Sequence, residues 1–243
     1  MVDEITRAVE ILKTAKTVAV LTGAGVSAES NIPTFRGEGG LWKKYRAEEL
    51  ATPEAFNRNP ELVWEWYGYR QKLVLGCRPN PAHEVIEKME DCFDDFLLIT
   101  QNVDGLHRRA GSKKMLELHG NLFKSRCTVG RTILDFTLGD DPLPKCESCG
   151  ALLRPHIVWF GESPDPMKIQ LAVEHSEKCD VFLVIGTSAM VQPAAYLPLI
   201  AKKMGAKVIE INPKSTPITN DMDVSIRGKA GEILPEIWTK AGF

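Results

Sequence analysis

Short, mostly apolar stretches recur along the chain. Residues 18–21 and 181–185 are wholly apolar, residues 96–100 end in Thr100, and residues 208–211 and 115–118 each contain one glutamate. Runs without polar interruption are typical of strands that are covered on both faces, as in a parallel sheet between two layers of helices. We therefore predict an α/β fold with a doubly wound, Rossmann-like parallel sheet.

Helical patterns fill the intervals between these runs. Residues 3–15 place apolar side chains on one face, and residues 167–178 form a crossover helix. Residues 41–92 show no strand pattern, and N-cap residues directly precede Pro53 and Pro81, which marks two helix starts. This long helical interval interrupts the alternation of strands and helices, so it predicts an insertion.

Three parts follow from these patterns. The sheet domain takes residues 1–40, 81–122 and 156–243, and residues 41–80 form a helical insertion. In residues 123–155 the apolar periodicity fades and cysteines appear, which predicts a second, small module. We expect a substrate cleft between the sheet and these two insertions.

A glycine-rich turn follows the first apolar run. Residues 23–28 form a G-x-G-x-x-A pattern. In dinucleotide-binding proteins such glycines let the backbone approach a pyrophosphate, which lies at the N-terminus of the next helix. The spacing alone also fits an ordinary tight turn, but its place directly after a buried strand favours a nucleotide site.

The loop after this turn, residues 31–37, does not fit an enzyme of hydride transfer. Such enzymes place Asp or Glu about 20 residues on, at the end of a second strand, to hold the ribose hydroxyls. Here the loop instead carries Phe35 and Arg36. These side chains suit covering a bound ring and pairing with a phosphate, although a surface loop whose arginine is paired elsewhere explains them equally well.

Polar side chains follow the next two apolar runs. Gln101, Asn102 and Asp104 come at the carboxyl end of a strand, where doubly wound sheets bind ligands. Asp104 also suits a turn that caps the helix at Leu106. His119 has an unperturbed pKa of about 6.5, which suits proton transfer near neutral pH, but a lone histidine is more often a core or surface residue than a catalyst.

Residues 23–37, GAGVSAESNIPTFRG, resemble the signature of the sirtuins, the NAD-dependent protein lysine deacylases. The sequence departs from the common form at Asn31, where glycine is usual. The resemblance covers nearly the whole chain in the family's order. The further matching segments are residues 100–104, 118–120, 158–162, 186–188 and 228–232.

The resemblance implies two catalytic residues, His119 and Asn102. In sirtuins the acyl oxygen of the substrate attacks C1′ of the nicotinamide ribose, nicotinamide leaves, and the matching histidine activates the ribose hydroxyl that takes the acyl group. The products are free lysine, nicotinamide and 2′-O-acyl-ADP-ribose. The implied NAD-binding residues are Gly23, Ala24, Gly25, Ser27, Ala28, Thr34, Phe35, Arg36, Trp42, Gln101, Asn102, Asp104, Gly186, Thr187, Ser188, Asn212, Pro213, Lys214 and Ala230.

Tyr67 and Arg70 lie three apart in an aromatic-rich helical stretch and share one helix face. Taken alone, they fit a surface pair. Sirtuins of the class III type, which prefer succinyl- and malonyl-lysine, carry Tyr-x-x-Arg at this point, so the resemblance implies removal of acidic acyl groups as well as acetyl. It also implies that Val158 and Phe160 pair with the backbone of an acylated-lysine protein or peptide as an added strand.

Three cysteines lie in the second insertion. Cys146-x-x-Cys149 is half of a zinc ribbon, in which two such pairs give tetrahedral thiolate coordination. Cys127 offers one further thiolate, and Gly130 stands where the family has the fourth cysteine. A redox Cys-x-x-Cys is a poorer interpretation, because that motif opens a helix after a strand. We predict a structural zinc ion with an incomplete protein shell.

Three thiolates leave one coordination position of the zinc ion open. We expect water or an oxygen of Asp135 or Asp140 to fill it. The other cysteines, Cys77, Cys92 and Cys179, are expected to be buried free thiols among apolar neighbours.

Composition and charge bear on which classes of partner the protein binds. The chain has 243 residues, of which 44% are hydrophobic and 26% charged, which is ordinary for a globular protein. The net charge of −2 gives no sign of a nucleic-acid surface. The N-terminus carries acidic residues and no long apolar run, so we expect no signal peptide, no membrane segment and a cytoplasmic location. We also expect a monomer.

Two other functions fit the same residues. One is a module that senses NAD or ADP-ribose and catalyses weakly, and the other is mono-ADP-ribosyl transfer, which also resembles some sirtuins. His119 and Asn102 favour the deacylase.

Overall fold

A computed structural model describes residues 3–35, 41, 46–130 and 132–243 of the chain. Within these residues the strands are β1 (Thr17–Thr22), β2 (Asp95–Thr100), β3 (Met115–Glu117), β4 (Gly120–Cys127), β5 (Ile133–Asp135), β6 (Leu153–Ile157), β7 (Val181–Ile185), β8 (Lys207–Ile211) and β9 (Val224–Ile226). The α-helices are α1 (Glu4–Thr14), α2 (Ala24–Ala28), α3 (Ala47–Leu50), α4 (Pro53–Arg58), α5 (Pro60–Leu75), α6 (Pro81–Cys92), α7 (Leu106–Ala110), α8 (Pro166–Lys178), α9 (Leu197–Lys203) and α10 (Ala230–Ala241).

The main sheet confirms the predicted doubly wound arrangement. Over the described ranges it has six parallel strands in the order β3-β2-β1-β7-β8-β9. The five apolar runs coincide with strands of this sheet, whereas the short edge strand β9 was not predicted. Because the chain continues to opposite sides of β1, a crevice opens at the carboxyl ends of β1 and β7, where such sheets bind ligands.

Two apolar layers cover the sheet. Along β1, Val18 and Val20 pack on the side of α1, α6 and α10, while Ala19 and Leu21 pack on the side of α8 and α9. Successive side chains of a strand point to opposite faces, so an unbroken apolar run is what two covered faces require. Among the described residues no helix is long and apolar enough to cross a bilayer.

The predicted helical interval contains α3 to α6, and side-chain caps define its helix starts. Thr52 Oγ1 accepts a hydrogen bond from Ala55 N at 3.0 Å, and Asn80 Oδ1 accepts one from Ala82 N at 3.0 Å. Each cap precedes a proline at the first helical position, where the missing N–H costs nothing. Helices α4 and α6 thus begin where the sequence predicts.

The two predicted insertions share one apolar core. Strands β4, β5 and β6 form an antiparallel sheet in the order β5-β4-β6, and α5 packs against it. Trp64 is 1% exposed, and its Nε1 donates a hydrogen bond to Leu153 O at 2.9 Å. This shared core faces the carboxyl edge of the main sheet and forms the far wall of a cleft.

Candidate active site

A cavity of about 1010 Å3 lies between the carboxyl edge of the main sheet and the two insertions. Most of the sequence-predicted site residues line it. They are Gly23, Ala24, Gly25, Ala28, Thr34, Phe35, Tyr67, Arg70, Gln101, Asn102, His119, Val158, Phe160, Gly186, Thr187, Ser188, Asn212, Pro213 and Lys214.

The remaining predicted residues have other places. Ser27 and Asp104 are buried beneath the cavity wall rather than in it, and Ala230 begins α10 while its neighbour Lys229 lines the cavity. Arg36 and Trp42 lie outside the described residues.

A chain of side-chain hydrogen bonds ties the ends of β2, β7 and β8 together. Gln101 Nε2 donates to Thr187 Oγ1 at 2.8 Å, and Asn212 Nδ2 donates to Thr187 O at 2.6 Å. Each of these residues directly follows or lies just past its strand, so parallel register alone brings them to one edge. The bonds hold three loops at the crevice in fixed positions.

The glycine turn is shaped by a second loop that packs against it. Gly25 N donates to Gly186 O at 2.8 Å, and a Cβ atom added at Gly25 would lie 2.7 Å from the same oxygen. Gly186 itself has φ of +60°, a conformation that side chains rarely adopt. The glycines are therefore required by the contact between the β1 and β7 loops, which the sequence analysis did not foresee.

Asn102 is anchored beneath the cavity with one atom left for a ligand. Its Nδ2 donates to Gly23 O at 3.0 Å and to Ser27 Oγ at 3.2 Å. Ser27 Oγ in turn donates to Asp104 Oδ2 at 2.8 Å, and Asp104 Oδ1 accepts from Leu106 N at 2.8 Å, which is the predicted cap. Since both amide hydrogens of Asn102 are used, the carboxamide oxygen is the atom it offers to the cavity.

His119 is held in one tautomer. Its Nδ1 lies 3.2 Å from Gln101 O. A carbonyl oxygen only accepts, so Nδ1 carries the proton and Nε2 of the neutral ring is an unprotonated acceptor. Burial lowers the pKa of His119, and the bond to Gln101 opposes that shift without reversing it. The imidazole is consequently neutral at physiological pH and ready to take a proton.

Arg70 carries a buried charge in the same cavity. Its side chain belongs to a residue that is 8% exposed, and its guanidinium lies 4.9 Å from the ring centre of Phe35. In the part of the chain that the structure describes, no carboxylate pairs with the guanidinium and no oxygen accepts a hydrogen bond from it. Burial lowers the pKa of Arg70, but arginine stays charged in proteins, so the cavity holds a positive charge among aromatic rings.

Tyr67 lies beside Arg70 with its hydroxyl fixed. Trp159 Nε1 donates to the Tyr67 hydroxyl oxygen at 2.8 Å. Burial raises the pKa of Tyr67, so the phenol keeps its proton. Tyr67 and Arg70 thus place two donors in one pocket, and both are buried, so they are not the surface pair that their spacing alone fits.

Comparison with known proteins identifies the family. Residues 23–193 match the family model described as Sir2 family. A protein of Aquifex aeolicus described as an NAD-dependent protein deacylase is 54% identical over 224 residues, which cover 91% of this chain and 93% of that protein. The chain belongs to the Sir2 family.

Solved Sir2 structures share the whole fold. A Sir2 homologue in complex with NAD is 48% identical and superposes with a TM-score of 0.92, covering 100% of this chain and 94% of that one. A complex of Sir2 with a p53 peptide and NAD+ is 30% identical, with a TM-score of 0.88 and 98% of each chain covered. The resemblance stated from sequence motifs is confirmed at the level of the family.

A group of three cysteines forms the second candidate site of this Sir2 protein. The sulfur atoms of Cys127, Cys146 and Cys149 lie within 4.8 Å of one another, and those of Cys127 and Cys149 are 3.5 Å apart. Zinc–sulfur bonds of about 2.3 Å place the sulfurs of a tetrahedral site about 3.8 Å apart. Backbone N–H groups of Gly130 and Val129 lower the pKa of Cys127 to about 7, which favours the thiolate that zinc requires. The cluster is compatible with zinc.

The fourth position of this cluster has no protein ligand among the described residues. The metal-capable group contains the three cysteines alone, so the expectation that Asp135 or Asp140 completes it is not supported. A Cβ atom added at Gly130 would lie 3.7 Å from Cys127 Sγ and meet nothing closer. Position 130 is thus where a fourth thiolate would fit, and the glycine leaves it open.

The other cysteines follow the expectation in part. Cys77 and Cys179 are buried free thiols, and burial raises the pKa of Cys179 to about 12. Cys92 is exposed, which corrects the expectation that it is buried. It is the last residue of α6, and the helix face that packs on the sheet ends at Met89 and Glu90.

Trp159 lines the cavity and donates a hydrogen bond to Tyr67, but nothing in the sequence indicated this contact. It lies inside the matched segment at residues 158–162, but its neighbours Val158 and Phe160 received the predicted roles. Its partner Tyr67 is 92 positions away in the chain. An indole N–H carries no spacing signal for such a contact, so the structure was needed to find it.

Proposed function

We propose that this protein is an NAD-dependent deacylase of lysine side chains in proteins or peptides, releasing nicotinamide and 2′-O-acyl-ADP-ribose. The observation that carries this proposal is the neutral, oriented His119 in one cavity with the glycine turn and Arg70. Sir2 membership and the relatives described as NAD-dependent protein deacylases support it.

Different residues of this chain would bind NAD and accept the proton. The turn at residues 23–28 and the polar ends of β2, β7 and β8 would hold NAD along the crevice. Bound NAD supplies the ribose carbon that accepts the acyl oxygen and a nicotinamide leaving group. His119 Nε2 takes the proton of the ribose hydroxyl, and its Nδ1 bond to Gln101 O keeps the ring in the tautomer that this requires.

We further propose that the protein accepts succinyl- and malonyl-lysine as well as acetyl-lysine. Arg70 supports this, because an unpaired guanidinium in a mostly buried position is stabilised by a ligand carboxylate. Tyr67 adds a hydroxyl donor beside it. The planar fork of arginine suits two-point recognition of a carboxylate, which an acetyl group lacks.

Val158 and Phe160 line the same cavity, and we propose that they bind the peptide backbone on either side of the acyl-lysine. The cysteine cluster would hold a structural zinc ion away from the chemistry. A cytoplasmic location, a monomeric state and the absence of nucleic-acid and membrane partners stay predictions from the sequence.

The test measures nicotinamide release from NAD with no peptide and with matched acetyl-, malonyl- and succinyl-lysine peptides. We expect release to depend on the acylated peptide and kcat/KM to be higher for the acidic acyl groups. Release without peptide would instead indicate ADP-ribosyl transfer or NAD hydrolysis. Peptide-dependent release with equal kcat/KM for all acyl groups would keep the deacylase and remove the acidic preference.

A further inference from the structure

Trp159 lines the cleft and also a second cavity of about 460 Å3, which Arg126 and Arg154 line as well. We propose that Trp159 is a positioning residue that sets the preference for acidic acyl groups by orienting the hydroxyl of Tyr67. The inference rests on the proposed deacylase function and names the side chain through which its acyl pocket is organised.

The hydrogen bond between the two rings has only one possible direction. An indole N–H donates and cannot accept, so the phenol oxygen of Tyr67 is the acceptor at 2.8 Å from Trp159 Nε1. The hydroxyl proton is not used in that bond. Among the described residues it has no acceptor, and Tyr67 lines the cavity. Trp159 thereby turns the hydroxyl into a donor for a ligand beside Arg70.

The ring of Trp159 is itself held in place by contacts with Arg154 and Phe56. The Arg154 guanidinium lies 3.4 Å from the centre of the Trp159 ring, and Phe56 packs at 5.5 Å between ring centres. Arg154 donates to Glu162 at 2.7 and 2.9 Å, and Arg126 donates to the same carboxylate at 2.8 Å. Burial opposes the charge of Glu162, but the hydrogen bonds from Arg154 and from Trp159 N keep its pKa below the ordinary value.

The backbone of Trp159 is fixed by the same group and by its neighbours. Trp159 N donates to Glu162 Oε2 at 2.9 Å, and the adjacent Val158 N and Phe160 N donate to His119 O and Ala51 O, each at 3.0 Å. The segment proposed to bind the peptide backbone therefore also directs the donor in the acyl pocket. A rigid ring whose backbone and side chain are both bound is suited to orient a partner hydroxyl.

The experiment is a double-mutant cycle on acyl selectivity, with the variants Tyr67→Phe, Trp159→Phe and the two together. The readout is the ratio of kcat/KM for a succinyl-lysine peptide to that for the matched acetyl-lysine peptide. We expect Trp159→Phe to lower this ratio by about three- to tenfold, the usual effect of one hydrogen bond. The loss should appear mainly as a higher KM for the succinyl peptide. The double variant should have the ratio of Tyr67→Phe alone, since both changes remove one contact.

A matched control separates positioning from packing. Trp64 is also buried, belongs to the same apolar core, and donates its indole N–H to Leu153 O at 2.9 Å, but it does not line the cleft. Trp64→Phe removes the same atoms and the same kind of bond. We expect it to lower the melting temperature as Trp159→Phe does and to leave the succinyl-to-acetyl ratio unchanged.

Arg154→Lys provides a second route if Trp159→Phe does not fold. It keeps a positive charge near Glu162 but loses the planar stacking on Trp159, and we expect the ratio to fall by about twofold or more. The inference would be overturned if Tyr67→Phe lowers the ratio but Trp159→Phe leaves it unchanged. Where Trp159→Phe does not fold, an unchanged ratio in Arg154→Lys would have the same meaning. Either result would leave the proposed deacylase function and acyl specificity standing. A wild-type protein without acidic preference would overturn it together with the proposed acyl specificity.

Discussion

The sheet edge and the cysteine cluster hold their functional groups in opposite ways. At the sheet edge, Gln101, Asn102 and Thr187 each take part in hydrogen bonds that cross between strands and loops. In the cluster, three sulfur atoms lie together with Gly130 at the place of a fourth ligand. The first site is built by many neighbours, and the second depends on the group that it would bind.

This difference predicts how each region responds to change. A site held by a network of hydrogen bonds keeps its shape when one ligand-facing side chain is removed, so such a change tests chemistry rather than folding. A metal site with three thiolates does not keep its shape in this way when a ligand is lost, because binding of the metal and folding of the module are linked.

Replacing His119 by alanine should reduce deacylation by about 10² to 10⁴, the usual contribution of a general base. NAD affinity should stay within a few fold, because the side-chain hydrogen bonds that join Gln101, Thr187 and Asn212 do not involve the imidazole ring. Turnover of an acetyl-lysine peptide and NAD titration measure the two quantities. Near-normal turnover in this variant would remove His119 from the role of base, and loss of NAD binding would show that the sheet edge is less robust than proposed.

Replacing Arg70 by methionine should lower kcat/KM for succinyl-lysine by roughly 30-fold to several hundred-fold, since one member of a buried charge pair is lost. Deacetylation should stay within about threefold, because an acetyl group has no carboxylate for the guanidinium to bind. Arg70→Lys should restore only part of the loss, because lysine lacks the planar fork. An equal loss for both peptides would make Arg70 a structural residue.

Replacing Gly130 by cysteine should strengthen metal binding in the cluster. We expect zinc to leave the wild-type protein more readily and the variant to retain it against a chelator at least about tenfold better, comparable to the effect of one supporting ligand contact. Transfer of zinc to a chromogenic chelator gives the rates, with a Gly139→Cys variant as a control outside the cluster. Equal rates for wild type and Gly130→Cys would mean that the fourth position is already filled.

The smallest expected effect is the fall of kcat/KM for deacetylation at acid pH. The base must be neutral, so kcat/KM is full above the pKa of His119 and falls as pH drops through it. Because burial lowers that pKa below 6.5, the loss between pH 7.5 and 5.5 should be less than the roughly tenfold expected of an unperturbed histidine. Zinc content measured at each pH separates this fall from protonation of the cysteines, and a midpoint above 6.5 would contradict the assignment.

Sequence patterns predicted the sheet and its ligand edge because both depend on local signals. Apolar runs define β1, β2, β7 and β8, and the polar residues that follow them reach one edge through parallel register. Side chains with partners distant in the chain were harder to interpret. The indole of Trp159 finds Tyr67, and Glu162 binds Arg126 and Arg154, through packing that no spacing encodes.

The cysteine module gives a second example of what the sequence could and could not predict. The spacing of Cys146 and Cys149 predicted their proximity, Cys127 was predicted as the third ligand, and the structure brings the three sulfur atoms together. Neither Asp135 nor Asp140 belongs to the cluster. Asp135 lies on β5, which is exposed and pairs with β4 on the edge of the small sheet. Distance along the chain was a poor guide to the fourth ligand.

The contact between the β1 and β7 loops has an evolutionary consequence. Gly25 and Gly186 are required by the approach of one backbone to another, whether or not a nucleotide is bound. Descendants that lost catalysis would be selected to keep these glycines for as long as they had to fold. In a genome survey, the glycine pattern therefore identifies inheritance of the scaffold, and the histidine at position 119 with its carbonyl partner is the better marker of a working enzyme.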